Sequence, residues 1–179
     1  MAEPFIYIVN LQFSTGIFPD ALKKAVITPL HKKGCRESVE NYRPLALLSV
    51  FSKIIEKAFL NKLIHFLEKF SLLKDCQHGF RKGRSTTTAM LNFMNYLSHS
   101  LENRKSTIGV FYDFTKAFDM IPHKILLTKL SQYGITGIAN LWIKSYLSDR
   151  KQVTKLKDLN GITYHSDEVI TNIGVPQGL

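Results

Sequence analysis

Acidic residues are scarce in this chain, and cysteine and tryptophan are scarcer still. Asp and Glu number 14 against 24 Lys and Arg, a net charge of +10 with a sequence pI near 9.6. That shortage of negative charge leaves polyanions as the favoured partners, nucleic acid or an anionic membrane surface. The two cysteines, Cys35 and Cys76, form no CxxC pair, and no signal peptide is visible. Such usage argues against an oxidising compartment and for an intracellular one, cytoplasmic or nuclear. Cys76 lies close to His78, but one Cys and one His make no zinc site, so the pair reads as a free thiol and a surface histidine. No apolar run reaches the roughly 18 residues a membrane span needs, which removes a membrane partner from the expectation. Internal repeats, low-complexity tracts and flexible linkers are absent too.

The chain does have a globular composition, 45% hydrophobic with a mean hydropathy of −0.04. Its 179 residues suffice for one sizeable domain, or for two subdomains sharing a core. Residues 1–15 mix apolar and polar side chains without a clear period, and Gly16–Asp20 reads as a turn. Ala25–Leu30 predicts a strand in which Pro29 marks an edge or an end. A basic loop, His31–Arg36, follows. The long helix that comes next has Leu47, Phe51, Ile54, Ile55, Ala58, Phe59, Leu63, Phe66, Leu67 and Phe70 on one face, with Ser49 or Ser52 as its cap. Ser85 caps a further helix whose Met90, Phe93, Met94, Leu97 and Leu101 are expected in the core. Helices are also expected near His123–Tyr133 and Ile138–Leu147. A β-rich segment closes the chain, from about 151 to 173, turning at Asn160-Gly161. This order of elements is α+β rather than a regular βαβ series.

Gly109-Val110-Phe111-Tyr112-Asp113 reads as a buried strand ending on a carboxylate. A hard divalent cation takes oxygen ligands, often one or two protein carboxylates plus substrate phosphates, and a strand end holds such a ligand rigidly. A lone Asp is more often structural, so its company matters. Lys32, Lys33 and Arg43 form one basic group; Arg81, Lys82 and Arg84 form another in a glycine-bearing loop. Gly174–Gly178 adds a tight turn with one amide, Gln177. Phosphoryl or nucleotidyl transfer needs a metal, cations for the developing charge, and groups that position sugar and base, and the chain offers candidates for each.

The segments Phe18–Ala25, Pro29–Gly34, Asn41–Leu45, Gln77–Arg81, Phe111–Asp119 and Gly174–Gly178 stand in an order and spacing that resembles the reverse transcriptases of non-LTR, LINE-like retrotransposons of the jockey type. The resemblance covers nearly the whole chain. It implies the fingers and the first part of a ferredoxin-like palm of a right-hand polymerase. Residues 1–15 would be a lead-in, 16–104 the fingers and helical part, and 105–179 the partial palm. The implied activity is RNA-directed DNA synthesis, with an RNA template, a DNA primer, deoxynucleoside triphosphates and Mg²⁺, or Mn²⁺ in its place, as partners. Asp113 resembles the first metal-binding aspartate, with the backbone carbonyl of Phe114 beside it. Lys33 (or Lys32) and Arg43 resemble the grip on the triphosphate. Phe118 falls at the steric gate against a 2′-hydroxyl, its alternative being an ordinary core side chain. Gln177 and Gly178 match the motif beside the nucleotide sugar and templating base, while Arg81, Lys82 and Arg84 look like contacts to template backbone or nucleotide. Asp119 reads as a helix-start or hydrogen-bonding carboxylate.

The resemblance also has departures. Asn172-Ile173 replaces a frequent cysteine, and Leu179 stands where serine is common. The sequence holds no Asp-Asp pair, so the catalytic hairpin with the remaining metal ligands is missing, as is the thumb. The expectation is that these 179 residues alone are inactive. Two alternatives stand beside it: a non-catalytic basic nucleic-acid-binding remnant of a decayed element, and a helix-rich interaction module that leaves the ordered motifs unexplained.

Overall fold

The computed structural model describes residues 2–114, 116–158 and 160–176. It divides into two units, Met1–Phe59 with Lys116–Leu179, and Leu60–Thr115. In the first unit the strands β1 (Lys24–His31), β2 (Tyr42–Leu47), β3 (Arg150–Lys157), β4 (Thr163–His165) and β5 (Val169–Thr171) form a mixed sheet. Its order is β2-β1-β3-β4, with β5 sharing the outer edge of β3. β1 and β2 are an antiparallel hairpin, and β3 runs parallel to β1 from Lys24↔Lys151 to Ile27↔Thr154. Pro29 therefore lies beyond the stretch of β1 that β3 covers, as an end-of-strand proline should. It faces Pro44 across the hairpin. Two imino residues can pair where N–H groups would point away from the partner strand.

The helices of this unit pack around the only tryptophan. The irregular sequence of residues 2–15 folds into helix α1 (Ala2–Thr15), for which periodicity gave no hint. Phe13 from α1, Phe18, and Phe59 from α2 (Val50–Lys69) surround Trp142 of α5 (Gly137–Leu147). Phe59 stacks on the indole at 4.2 Å and Phe18 meets it edge-on at 5.5 Å. Such pairs add about 0.5–1.5 kcal/mol each beyond the area they bury. The indole N–H donates to Gln12 Oε1 at 3.2 Å, which explains a glutamine in the core. Asn140 ties α5 to α4 (His123–Gln132): its Nδ2 lies 3.0–3.2 Å from Leu127 O, Ser131 Oγ and Ile135 O. The β3–β4 hairpin turns where Asn160-Gly161 predicted, with Asp158 Oδ1 accepting from the Ile162 N–H at 2.7 Å.

The second unit begins within α2 and contains α3 (Thr86–Glu102). Ser85 caps α3 as expected: its Oγ accepts from the Thr88 N–H while Thr88 Oγ1 accepts from the Ser85 N–H, a reciprocal capping box. Two expectations fail here. Met90, Phe93, Met94 and Leu101 are exposed rather than core, because the described residues of this unit include no strand for the helix to cover. Likewise Gly109–Asp113 is neither a strand nor buried. Residues 105–114 have no regular structure, and Ile108, Val110, Phe111 and Tyr112 stand in solvent. A strand needs neighbours for its backbone N–H and C=O groups, and none pairs with this segment among the described residues. The expected apolar face is only partly buried on α2, with Ile55 fully enclosed and Phe51 and Ile54 exposed, while Leu47 belongs to β2 and Phe70 follows the helix.

Candidate nucleotide and nucleic-acid site

The β1–β2 hairpin tip is a rigid basic loop. The Lys32 N–H donates to Asn41 O at 2.8 Å, extending the ladder by one step beyond His31↔Tyr42. Asn41 Nδ2 donates to Cys35 O and the Tyr42 hydroxyl to Arg36 O, both at 2.8 Å, while the His31 ring sits 3.0 Å from Gly34 O and edge-on to Tyr42. On this frame Lys32, Lys33 and Arg43 are exposed, and their side chains make no hydrogen bond or ion pair among the described residues. Three unengaged cations on a braced loop are available to phosphate oxygens: Arg43 as a two-pronged donor, the lysines as point charges.

Arg81 and Arg84 differ in this respect. Arg81 Nη1 donates to Lys74 O at 3.0 Å and Arg84 Nη1 to Asp75 O at 3.1 Å, so both guanidinium groups hold their own loop. Lys82 between them is exposed. His78, read as a surface side chain, fastens the same loop to α3, with Nδ1 2.8 Å from Thr88 Oγ1 and Nε2 accepting from Asn92 Nδ2 at 3.1 Å. Cys76 is a free, exposed thiol. Asp113 and Phe114 belong to this second unit and are exposed.

Phe118 belongs to the first unit, on a turn that a second segment grips. The Gly174 N–H donates to Ile121 O and the Val175 N–H to Phe118 O, each at 2.9 Å, and the His123 Nε2–H to Gly174 O at 2.7 Å. Gly174 has φ +81°, and a Cβ there would stand 2.8–3.0 Å from the Asp119 backbone. Only glycine permits the contact. Phe118 is 40% exposed, which is not the setting of an ordinary core phenylalanine. Asp119 is half-buried in the same turn, its N–H donating to Lys116 O. Gln177 and Gly178 lie outside the described residues.

The family described as Reverse transcriptase (RNA-dependent DNA polymerase) matches residues 30–179, from the hairpin through both gripped turns. The chain belongs to the reverse transcriptase family. Among curated relatives it is 32% identical over 96% of its length to the probable RNA-directed DNA polymerase from transposon BS of Drosophila melanogaster. It is 33% identical over 96% to the RNA-directed DNA polymerase from mobile element jockey, and 29% over 97% to the probable polymerase from transposon X-element, both of the same fly. The chain spans 18% of the length of each of those relatives.

Two polar residues of the first unit escaped sequence reasoning, His123 and Arg150. His123 follows a proline at a helix start and Arg150 opens β3, where no periodicity distinguishes them. Arg150 is 4% exposed; its guanidinium lies over the Tyr146 ring at 4.6 Å and Nη1 donates to Tyr146 O. Burial lowers its pKa, opposed by Tyr146 and Glu56. Burial raises the Tyr146 phenol in turn, with added push from the charge of Glu56, whose Oε1 accepts from Ser52 Oγ at 2.7 Å. No helix among the described residues is long and apolar enough to cross a membrane.

Proposed function

We propose that this chain is the fingers and the first part of the palm of an RNA-directed DNA polymerase that copies retrotransposon RNA into DNA. In this reading residues 16–104 are fingers, residues 105–179 are partial palm, and residues 1–15 lead in. The observation that carries it is the braced hairpin with Lys32, Lys33 and Arg43 unengaged, within a region matched by the family. Those three cations grip the triphosphate of an incoming deoxynucleotide. Phe118 packs under its sugar and excludes a 2′-hydroxyl, and Gln177 with Gly178 sits against sugar and templating base. Template phosphates run along the loop of Arg81, Lys82 and Arg84, where Lys82 is the outward charge and the two arginines give the loop its shape.

Asp113, with the Phe114 carbonyl, is a ligand of the Mg²⁺ or Mn²⁺ that such chemistry uses. Among the described residues, however, no three His, Cys, Asp or Glu side chains are placed to hold an ion. Two-metal sites hold ions about 3.5–4 Å apart between several carboxylates. Asp113 alone does not fit that demand, so these residues by themselves do not polymerise.

The test is paired. Retention on an RNA–DNA template-primer should fall steeply with salt, log affinity against log salt having a slope of about −0.7 to −0.9 per phosphate neutralised. Changing Lys32, Lys33 and Arg43 together to Gln should reduce that slope by about 2–3. Primer extension with Mg²⁺ should give no product. A flat salt response refutes the binding role, and processive product refutes the incompleteness.

A further inference from the structure

Phe80 stands on the loop that joins α2 to α3 in the second unit, and its side chain is 88% exposed. Its backbone is left-handed, with φ +59°. A Cβ crowds the following carbonyl in that conformation, so glycine is the residue expected there. Glycines do occur at 79 and 83, yet the left-handed position between them carries a large ring. The loop is fastened on both sides of it. Before Phe80, Gln77 Nε2 donates to Gly79 O at 3.3 Å and His78 is tied to Thr88 and Asn92. After it, Arg81 and Arg84 donate to the carbonyls of Lys74 and Asp75. An unfavourable backbone conformation held by its surroundings, for a ring that gains little from burial, points to use of the ring at the surface. The loop's charge says what for. Lys74, Arg81, Lys82 and Arg84 face a single carboxylate, Asp75, between residues 70 and 85. Cations for the backbone and an aromatic face for the bases are the two parts from which single-stranded nucleic-acid sites are built.

We propose that Phe80 is a stacking platform for an unpaired base of a single-stranded nucleic acid, with Lys82 on the neighbouring phosphate. This rests on the nucleic-acid reading of the loop for the class of partner, and adds what phosphate contacts cannot supply. A duplex hides the faces of its bases, so the ring makes the loop prefer a single strand. Every base has such a face, so the preference is for strandedness and not for sequence.

The full chain is titrated with a single-stranded oligonucleotide carrying 2-aminopurine, an adenine analogue whose fluorescence falls when it stacks, and with a blunt duplex of the same sequence. Binding of the single strand should quench the analogue. Phe80→Gly should remove the quench and weaken single-strand binding about five- to a hundred-fold, the worth of one base–aromatic stack, while duplex binding stays as it was. Phe80→Trp should restore both quench and affinity. Lys82→Gln should weaken single strand and duplex alike and lower the salt slope by about 1. The urea midpoint of Phe80→Gly should hold or rise, because glycine adopts φ +59° without strain. A Phe80 that merely buttressed the loop would make that midpoint fall. A fall, a quench that survives Phe80→Gly, or equal losses on single strand and duplex would each overturn the stacking role. A steep salt response with no effect of Phe80→Gly sinks this inference alone, whereas a flat salt response on both ligands sinks the nucleic-acid reading and the inference with it.

Discussion

Replacing Gly174 with alanine tests whether the grip between residues 118–123 and 173–175 is a real structural joint. The magnitude has two parts. A left-handed residue with a side chain costs about 1–2 kcal/mol. The new methyl would also stand 2.8–3.0 Å from Asp119 O, C and Cα, all backbone atoms that cannot swing aside. Relief requires the two segments to part, which lengthens the Gly174–Ile121, Val175–Phe118 and His123–Gly174 hydrogen bonds. Losing one or two of these adds about 1–2 kcal/mol. The sum is about 2–4 kcal/mol, and with a urea slope of about 1–3 kcal/mol/M the unfolding midpoint should fall by about 1–2 M. Gly137→Ala is the control within the same unit: φ is +59° there, yet nothing lies within 4 Å of the added Cβ. It should lose only the backbone part, about 1–2 kcal/mol. Equal midpoints for the two variants would refute the joint. So would a Gly174→Ala chain in which the amides of residues 174 and 175 exchange with solvent no faster than before.

Two further outcomes follow from other contacts. Lys24 and Lys151 both pair with Glu168, across from β1 and β3, and hold its carboxyl below the ordinary range. The contribution is therefore present above the carboxyl's unfolded pKa and is lost as pH falls through the lowered, folded one. NMR titration should show Glu168 below the other glutamates, and Lys24→Met should move it up towards them; no movement would deny the pairing in solution. Thr88→Val keeps the shape of α3's first turn but removes the hydroxyl that serves Ser85 and His78. The amides of residues 85–89 should exchange about ten-fold faster, the equivalent of about 1.4 kcal/mol, and unchanged exchange would mean the cap contributes nothing.

Much of the fold is legible in the sequence where one element's own pattern decides it. β1, α4, α5 and the Ser85 cap stand where alternation, periodicity and capping residues put them. α1 is not legible because its residues are apolar on several sides, and what orders them is a tryptophan far along the chain. The Gly109–Asp113 segment fails for the converse reason. Its residues favour a strand, but strand formation is a property of pairs, and its partner is not among the described residues. At the candidate site, the sequence singled out the hairpin cations and Phe118, which the structure places on a braced loop and on an exposed turn. It did not show that Arg81 and Arg84 are engaged with their own loop, since a hydrogen bond to a main-chain carbonyl leaves no mark in residue type.

The exposed stretch from Ser106 to Tyr112 has a further consequence, for handling and for genetics. It is uncharged, free of proline, rich in β-branched and aromatic residues, and bounded by Lys105 on one side and Asp113 on the other. Short segments of that kind stack into cross-β fibrils when chains meet, and flanking charges are what keep them apart. Asp113, proposed above as a metal ligand, is therefore also placed to keep such chains apart. Asp113→Ala, the obvious test of the proposed metal ligand, also removes a gatekeeper. Loss of metal or nucleic-acid binding in that variant has to be read beside light scattering, and Asp113→Asn with a new charge at Tyr112 is the cleaner pair for separating a lost ligand from clumped protein.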